Sequence, residues 1–171
     1  MRRLIKKNHR RPCFHSPIGL PHLVIRNKKS VMSRTYMFTG SCLYNLLDED
    51  QGDVNKLFGY SLGLHHNNSL RFGWRANIKN ATIEIVAYEY HNKVRSVTPI
   101  CEVKLNEWYT YDIHYNGYGQ VIYTVYENNG FQVKSITNPL QLQHKFNIGY
   151  TLGLYFGGNE KAPQDITLYK K

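Results

Sequence analysis

KLFGYSLGLHHNNSLRFGWR, Lys56–Arg75, holds two alternating runs that meet at a polar tetrapeptide. Phe58, Tyr60, Leu62 and Leu64 recur at every second position in the first run. Leu70, Phe72 and Trp74 do the same in the second, against Arg71, Gly73 and Arg75. A period of two is that of a half-buried strand, and His65–Asn68 is made of residues that turns favour. The stretch therefore predicts a β-hairpin with an apolar face and a decorated one. His65 and His66 are chain neighbours, which on a strand point to opposite sides, so the pair reads as turn chemistry rather than as a metal chelate.

The same reading extends in both directions. Leu23–Ile25 and Met32–Phe38 predict strands around a basic turn at Asn27–Ser30, and Ser41–Leu47 continues the sheet or makes a short helical turn. Downstream, Ala81–Tyr90 alternates Ile83, Ile85 and Ala87 against Val86, Tyr88 and Tyr90. Ser96–Leu105 contains Pro99, which predicts an edge strand or a bulge because proline cannot donate to a ladder. Trp108–Tyr115 sets Tyr109, Tyr111, Ile113 and Tyr115 on one face and Trp108, Thr110, Asp112 and His114 on the other. Val121–Tyr126, Phe131–Ile136, Phe146–Phe156 and Asp165–Tyr169 complete the series. About ten short strands at this spacing predict an all-β antiparallel sandwich or barrel. Fourteen Tyr, seven Phe and two Trp suit such a core, since aromatic residues pack well on pleated surfaces.

The chain has 171 residues and a net charge of +10, the size of one domain that needs no metal or disulfide staple. Its excess charge is local. Arg2, Arg3, Lys6, Lys7, Arg10 and Arg11 fall in the first stretch, and no acid precedes Asp48. Residues 1–21 lack periodicity and contain Pro12, Pro17 and Pro21, so they predict an extended basic arm, with residues 22–171 as the sandwich domain. Such an arm suits docking to other protein subunits, and it is also the one part of the chain whose charge suits nucleic acid. No apolar run is long enough for a signal peptide or a membrane span. Cys13, Cys42 and Cys101 have no paired spacing, so free thiols in a reducing compartment are expected. Asp48, Asp50 and Asp53 around Gly52 resemble part of a calcium loop. The full twelve-residue pattern is absent, so a solvated loop is the plainer reading and no cofactor is expected. No zinc-peptidase, serine-hydrolase or nucleotide-loop motif occurs.

Two resemblances rest on particular stretches. NEWYTYDIHYNGYGQVIYTVYENNG, Asn106–Gly130, and YTLGLYFGGN, Tyr150–Asn159, resemble the hairpin and the late strand of the concanavalin A-like lectin and glucanase superfamily. That resemblance implies a jelly-roll sandwich and covers roughly Ser30 to Lys171. RFGWR, DIH and YTLGLYFGG are similar in order to the motifs of alginate-lyase-type jelly-roll polysaccharide lyases. The sequence departs from that pattern in the Glu of the first motif, in Asp112 for Gln and in the missing Lys of the third. The similarity implies Arg71 or Arg75 on a uronate carboxylate, His114 as base and Tyr155 as acid.

Three functions follow as expectations. One is a non-catalytic structural module of a larger assembly, such as a phage or viral particle made in the cytoplasm and tied together by its arm. The second is a glycan-binding module using Arg71, Trp74, Arg75, Tyr88, Tyr90, Trp108, Asp112, His114 and Tyr155, because sugars stack on aromatic faces and bond to planar polar groups. The third is a lyase acting by β-elimination.

Overall fold

The computed structural model describes residues 1–11, 23–25, 30–46, 49–116, 119–139, 148–157 and 160–171. In these the chain forms two six-stranded antiparallel sheets packed face to face, a β-sandwich of jelly-roll type. The first sheet contains β1 (Arg2–Ile5), β12 (Ile166–Lys170), β3 (Ser30–Phe38), β8 (Trp108–Tyr115), β9 (Gln120–Glu127) and β10 (Gln132–Pro139), in that spatial order. The second contains β2 (Leu23–Ile25), β11 (Ile148–Leu152), β4 (Asn55–Ser61), β5 (Ser69–Asn77), β6 (Thr82–His91) and β7 (Val94–Val103). Two short 3-10 turns, Gly40–Cys42 and Glu49–Gly52, lie between β3 and β4.

The core forms where the alternating faces meet. Phe58, Tyr60, Leu70, Phe72, Trp74, Ile83, Ile85 and Ala87 point inward from the second sheet, against Tyr36, Phe38, Tyr111, Ile113, Tyr123 and Leu168 of the first. Phe72 sits in edge contact with Tyr111 at 5.3 Å and Tyr123 at 5.2 Å, and Phe38 meets Trp74 at 5.3 Å with tilted rings. Each such pair adds about 0.5–1.5 kcal/mol beyond the area it buries.

Three register shifts interrupt the described ladders, one between Gln132 and Lys134 on β10 and two in the second sheet. On β7 the register slips opposite Ile85 and Val86, where Pro99 sits on the outermost strand of the sheet; the proline thus occupies an edge and adjoins a bulge. On β4, Lys56 pairs with Gly73 and Phe58 with Phe72, leaving Leu57 as the extra residue. Leu57 and Phe58 both enter the core, and residues before Leu57 change face.

Residues 2–5 do not project as an arm. They form β1, paired with β12 from Arg2 opposite Tyr169 to Ile5 opposite Ile166, and Ile5 is fully buried. Ile5 supplies the apolar anchor that outweighs the adjacent charges. Residues 6–11 continue along the 155–162 segment: Asn8 N–H donates to the Ala162 carbonyl at 2.8 Å, and Phe156 N–H to the Arg10 carbonyl at 2.7 Å. The remainder of the expected arm lies outside the described residues. No described helix is long and apolar enough to cross a membrane.

Candidate functional site

The outward face of the second sheet carries Lys56 and Gly59 on β4, Arg71, Gly73 and Arg75 on β5, and Val86, Tyr88 and Tyr90 on β6, the rows opposite the core residues. Gly73 keeps this face low. A Cβ there would lie 2.3 Å from Val54 Cγ1 and 2.9 Å from Val86 Cγ2, and Val54, Val86 and Tyr88 close over it as a small apolar cluster.

Lys56 is the centre of the arrangement. Asn55 faces inward, donates to the Tyr44 hydroxyl at 2.6 Å and accepts the Gly157 N–H at 2.6 Å. Lys56 and Tyr155 exchange two main-chain hydrogen bonds, of 2.8 and 2.9 Å. The 155–157 segment is thereby clamped beside β4. The Lys56 ammonium donates to the Val54 carbonyl at 2.7 Å and the Gly157 carbonyl at 2.9 Å. It lies 4.8 Å from the Tyr88 ring centroid and 5.8 Å from that of Tyr155. Burial, reinforced by the Arg71 charge, lowers its pKa from 10.5 to about 8.

Arg71 approaches the same Tyr88 ring, its guanidinium carbon 5.7 Å from the centroid. Its Nη2 donates to the Ser69 hydroxyl at 3.2 Å and the His65 carbonyl at 3.4 Å. Its Nε has no acceptor among the described residues. Lys56 and Arg71 are 7% and 8% exposed, unusual values for cations. Burial lowers the Arg71 pKa and raises that of Tyr88.

Around this pair the rim is aromatic and basic. Tyr90 lies 5.9 Å from Tyr88, and His66 5.6 Å from Tyr90. The His65 Nδ1 and the Tyr150 hydroxyl share a hydrogen bond of 2.5 Å. Burial and then the Arg71 charge lower the His65 pKa. Arg11 sits 5.9 Å from the Tyr155 ring centroid, and Arg10 Nη1 donates to the Tyr155 hydroxyl at 3.4 Å.

The expected site residues divide between three places. Arg71, Tyr88, Tyr90, Tyr155, Arg10 and Arg11 come together here. Arg75 lies on the same face, but it is ion-paired with Glu84 and donates to the Gly52 carbonyl at 3.1 Å; its charge is already answered. Trp74 is not a surface residue. It is fully buried among Phe38, Tyr44 and Phe156, because it shares the inward row of Leu70 and Phe72.

Trp108, Asp112 and His114 lie on the outward face of the first sheet, since Tyr109, Tyr111 and Ile113 of the same strand enter the core. Lys171 Nζ stands 4.7 Å from the Trp108 ring centroid. The thickness of the sandwich therefore separates His114 from Arg71 and Tyr155, and the lyase constellation is not assembled. Of the calcium candidates, Asp48 lies outside the described residues. Asp50 lies within the Glu49–Gly52 turn and Asp53 just after it, and Asp53 N–H donates to the Asp50 carbonyl at 2.9 Å. The described residues contain no cluster of three metal-ligating side chains.

Arg2, Lys6 and Lys7 are exposed along β1 and just after it, and Arg3 is half-buried. Sequence reasoning missed Lys56, Tyr150, His65 and His66 as members of the site. The two histidines do belong to a turn, as their neighbours imply: Asn67 and Asn68 N–H both donate to the Leu64 carbonyl.

No known family model and no curated protein matches this chain. Among solved structures, a protein of unknown function from Shewanella oneidensis MR-1 is similar at 12% identity and a TM-score of 0.47, over 88% of this chain and 57% of its own. Peanut lectin with a nine-residue peptide is similar at 12% identity and 0.46, over 82% and 67%. The CBM2 module of an evolved Dit of Lactobacillus casei BL23 phage J-1 is similar at 13% identity and 0.45, over 82% and 58%. This chain thus spans little over half the length of the Shewanella and phage chains. At these scores the likenesses carry no argument about ligand or assembly.

Proposed function

We propose that this chain is a non-catalytic glycan-binding module whose ligand lies along the outward face of the second sheet, over Tyr88, Tyr90 and Tyr155. Membership of the concanavalin A-like superfamily, which the Asn106–Gly130 hairpin resembles, is part of the same proposal. The observation that supports it is the buried Tyr88 ring with two buried cations on it, rimmed by the half-exposed Tyr90 and Tyr155, on a sheet face opposite the core. Aromatic faces accept the C–H side of a sugar ring. The tyrosine hydroxyls and the guanidinium supply convergent polar groups, the combination expected of a small-ligand site. The reading is non-catalytic because the one base named by the lyase resemblance, His114, stands on the far side of the sandwich.

A glycan array probed with the wild type, Tyr90→Ala, Tyr155→Ala and Trp108→Ala tests the reading. Binding lost in the two tyrosine variants and kept in Trp108→Ala supports it. An array that stays empty with folded wild type removes it.

Docking into a larger assembly such as a virion is a second reading, favoured by the position of β1. It is the outermost described strand of the first sheet, with Arg2, Lys6 and Lys7 exposed beside it, and an edge strand offers unpaired backbone groups to another chain. Lys6→Glu with Lys7→Glu should then prevent co-purification with the native complex; unchanged co-purification counts against it.

A further inference from the structure

Within that glycan-binding reading, on which this step rests, we propose that the ligand is acidic, and that one carboxylate or sulfate of the glycan seats between the Lys56 ammonium and the Arg71 guanidinium above the Tyr88 ring. Two neighbouring strands place these cations on one aromatic face, each less than a tenth exposed. Removing two like charges from water together is costly unless an anion compensates them. The salt bridges among the described residues are Arg75–Glu84, His91–Glu89 and Lys104–Glu107, none of them to Lys56 or Arg71.

Of the other acids, Asp48 lies outside the described residues, and Asp53 lends a single supporting charge to Lys56 against the two cations. Glu89, the acid nearest in sequence to Tyr88, turns inward, where it meets His91 of its own strand and accepts from Asn138 of β10 at 3.1 Å. Glu102 faces Asn77, Asn80 and Thr82 at the far end of β6.

The donors suit one compact anion. Two of the three ammonium protons of Lys56 go to carbonyls, leaving one. Arg71 keeps an unpaired Nε–H and a planar fork that matches carboxylate and sulfate geometry. A neutral sugar would leave both charges uncompensated. A nucleic-acid backbone would call instead for a row of exposed cations spaced along its phosphates, whereas these two are sunk at one point.

Protonation of Lys56 links the site to pH. The charged and titratable groups around it are Arg71, Tyr88, Asp53, Arg95, Tyr155 and Arg11, of which Asp53 supports its proton and Arg71 and Arg95 oppose it. Affinity for an anion therefore weakens as pH rises through about 8, where the unliganded ammonium loses its proton.

Calorimetric titration of the wild type with tetragalacturonate, its carboxyl-reduced neutral counterpart, a sulfated heparin tetrasaccharide and a single-stranded oligonucleotide decides the matter. The expected result is at least about tenfold tighter binding of one or both acidic saccharides than of the neutral one, a preference of about 1.4 kcal/mol. Uronate alone would identify a carboxylate, and heparin alone a sulfate. The preference should fade between pH 7 and 9, and it should be absent in Lys56→Gln and Arg71→Gln. Equal, Tyr90-dependent binding of acidic and neutral tetrasaccharides would overturn the acidic ligand while leaving the glycan module standing. Binding of none of the saccharides, or tighter binding of the oligonucleotide, would overturn both. The wild-type comparison needs no variant, so a glutamine substitution that fails to fold leaves the test intact.

Discussion

Lys56 holds its proton in a place where most of its water has been replaced by two carbonyls and two ring faces. Its pKa is about 8 when folded against 10.5 in a free chain, so between those values the unfolded chain binds the extra proton. Stability attributable to Lys56 therefore rises as pH rises from about 8 toward 10.5. At neutral pH the buried charge costs up to about 3 kcal/mol. Lys56→Met should accordingly be more stable than the wild type at pH 7, with the gap closing by pH 10, measured by urea denaturation at each pH. Buried tyrosines such as Tyr36, pushed up to about 12, act in the opposite direction above pH 10. The difference between the two proteins isolates the lysine. Trp74 behaves differently: Trp74→Ala should cost about 3–5 kcal/mol as a core truncation, and its loss should not alter a ligand site that it never faces.

The hairpin of β4 and β5 shows why one half of the site was legible and the other was not. Phe58, Tyr60, Leu70, Phe72 and Trp74 fall into the core as their alternation predicts, and Arg71 falls opposite them for the same reason. Lys56 has the parity of Phe58 and Tyr60, which assigns it to the core row. The bulge at Leu57 reverses that parity, and nothing in a period-two pattern announces a bulge. Tyr150 and Tyr155 reach the face only through pairing with distant β4 residues, which no local signal encodes. Where the signal was chemical rather than periodic, it carried through: Pro99 indicated an edge strand or a bulge, and it lies on an edge strand beside a bulge.

At this scale Gly73→Ala should destabilise the hairpin by about 1–3 kcal/mol by overpacking, since its methyl would meet Val54 and Val86. Adding Val54→Ala should return part of that loss, as a double-mutant cycle in thermal denaturation would read.

Across the whole molecule, an all-β sandwich or barrel followed from strand spacing and the jelly roll from the resemblance, but the role of the first residues followed from neither. RRLI is too short for periodicity, and its partner strand lies at the other end of the sequence. Deleting residues 1–5 should lower stability by at least about 2 kcal/mol, because Ile5 leaves the core and Ile166 loses its cover. Equilibrium unfolding of the truncated chain would measure it, and a truncated protein as stable as the full chain would return these residues to the status of a free arm.

The pairing of Arg2 with Tyr169 also sets an order in time. Contacts this distant along the chain close slowly, after local hairpins such as β4–β5 have formed. The first sheet cannot acquire its outer pair until residues near 170 are available. The same late event lays Arg10 and Arg11 against Tyr155, so a nascent or C-terminally frayed chain would own a nearly complete sandwich with an unfinished rim. Competence to hold a ligand would then report that residues 2–11 have met residues 155–170.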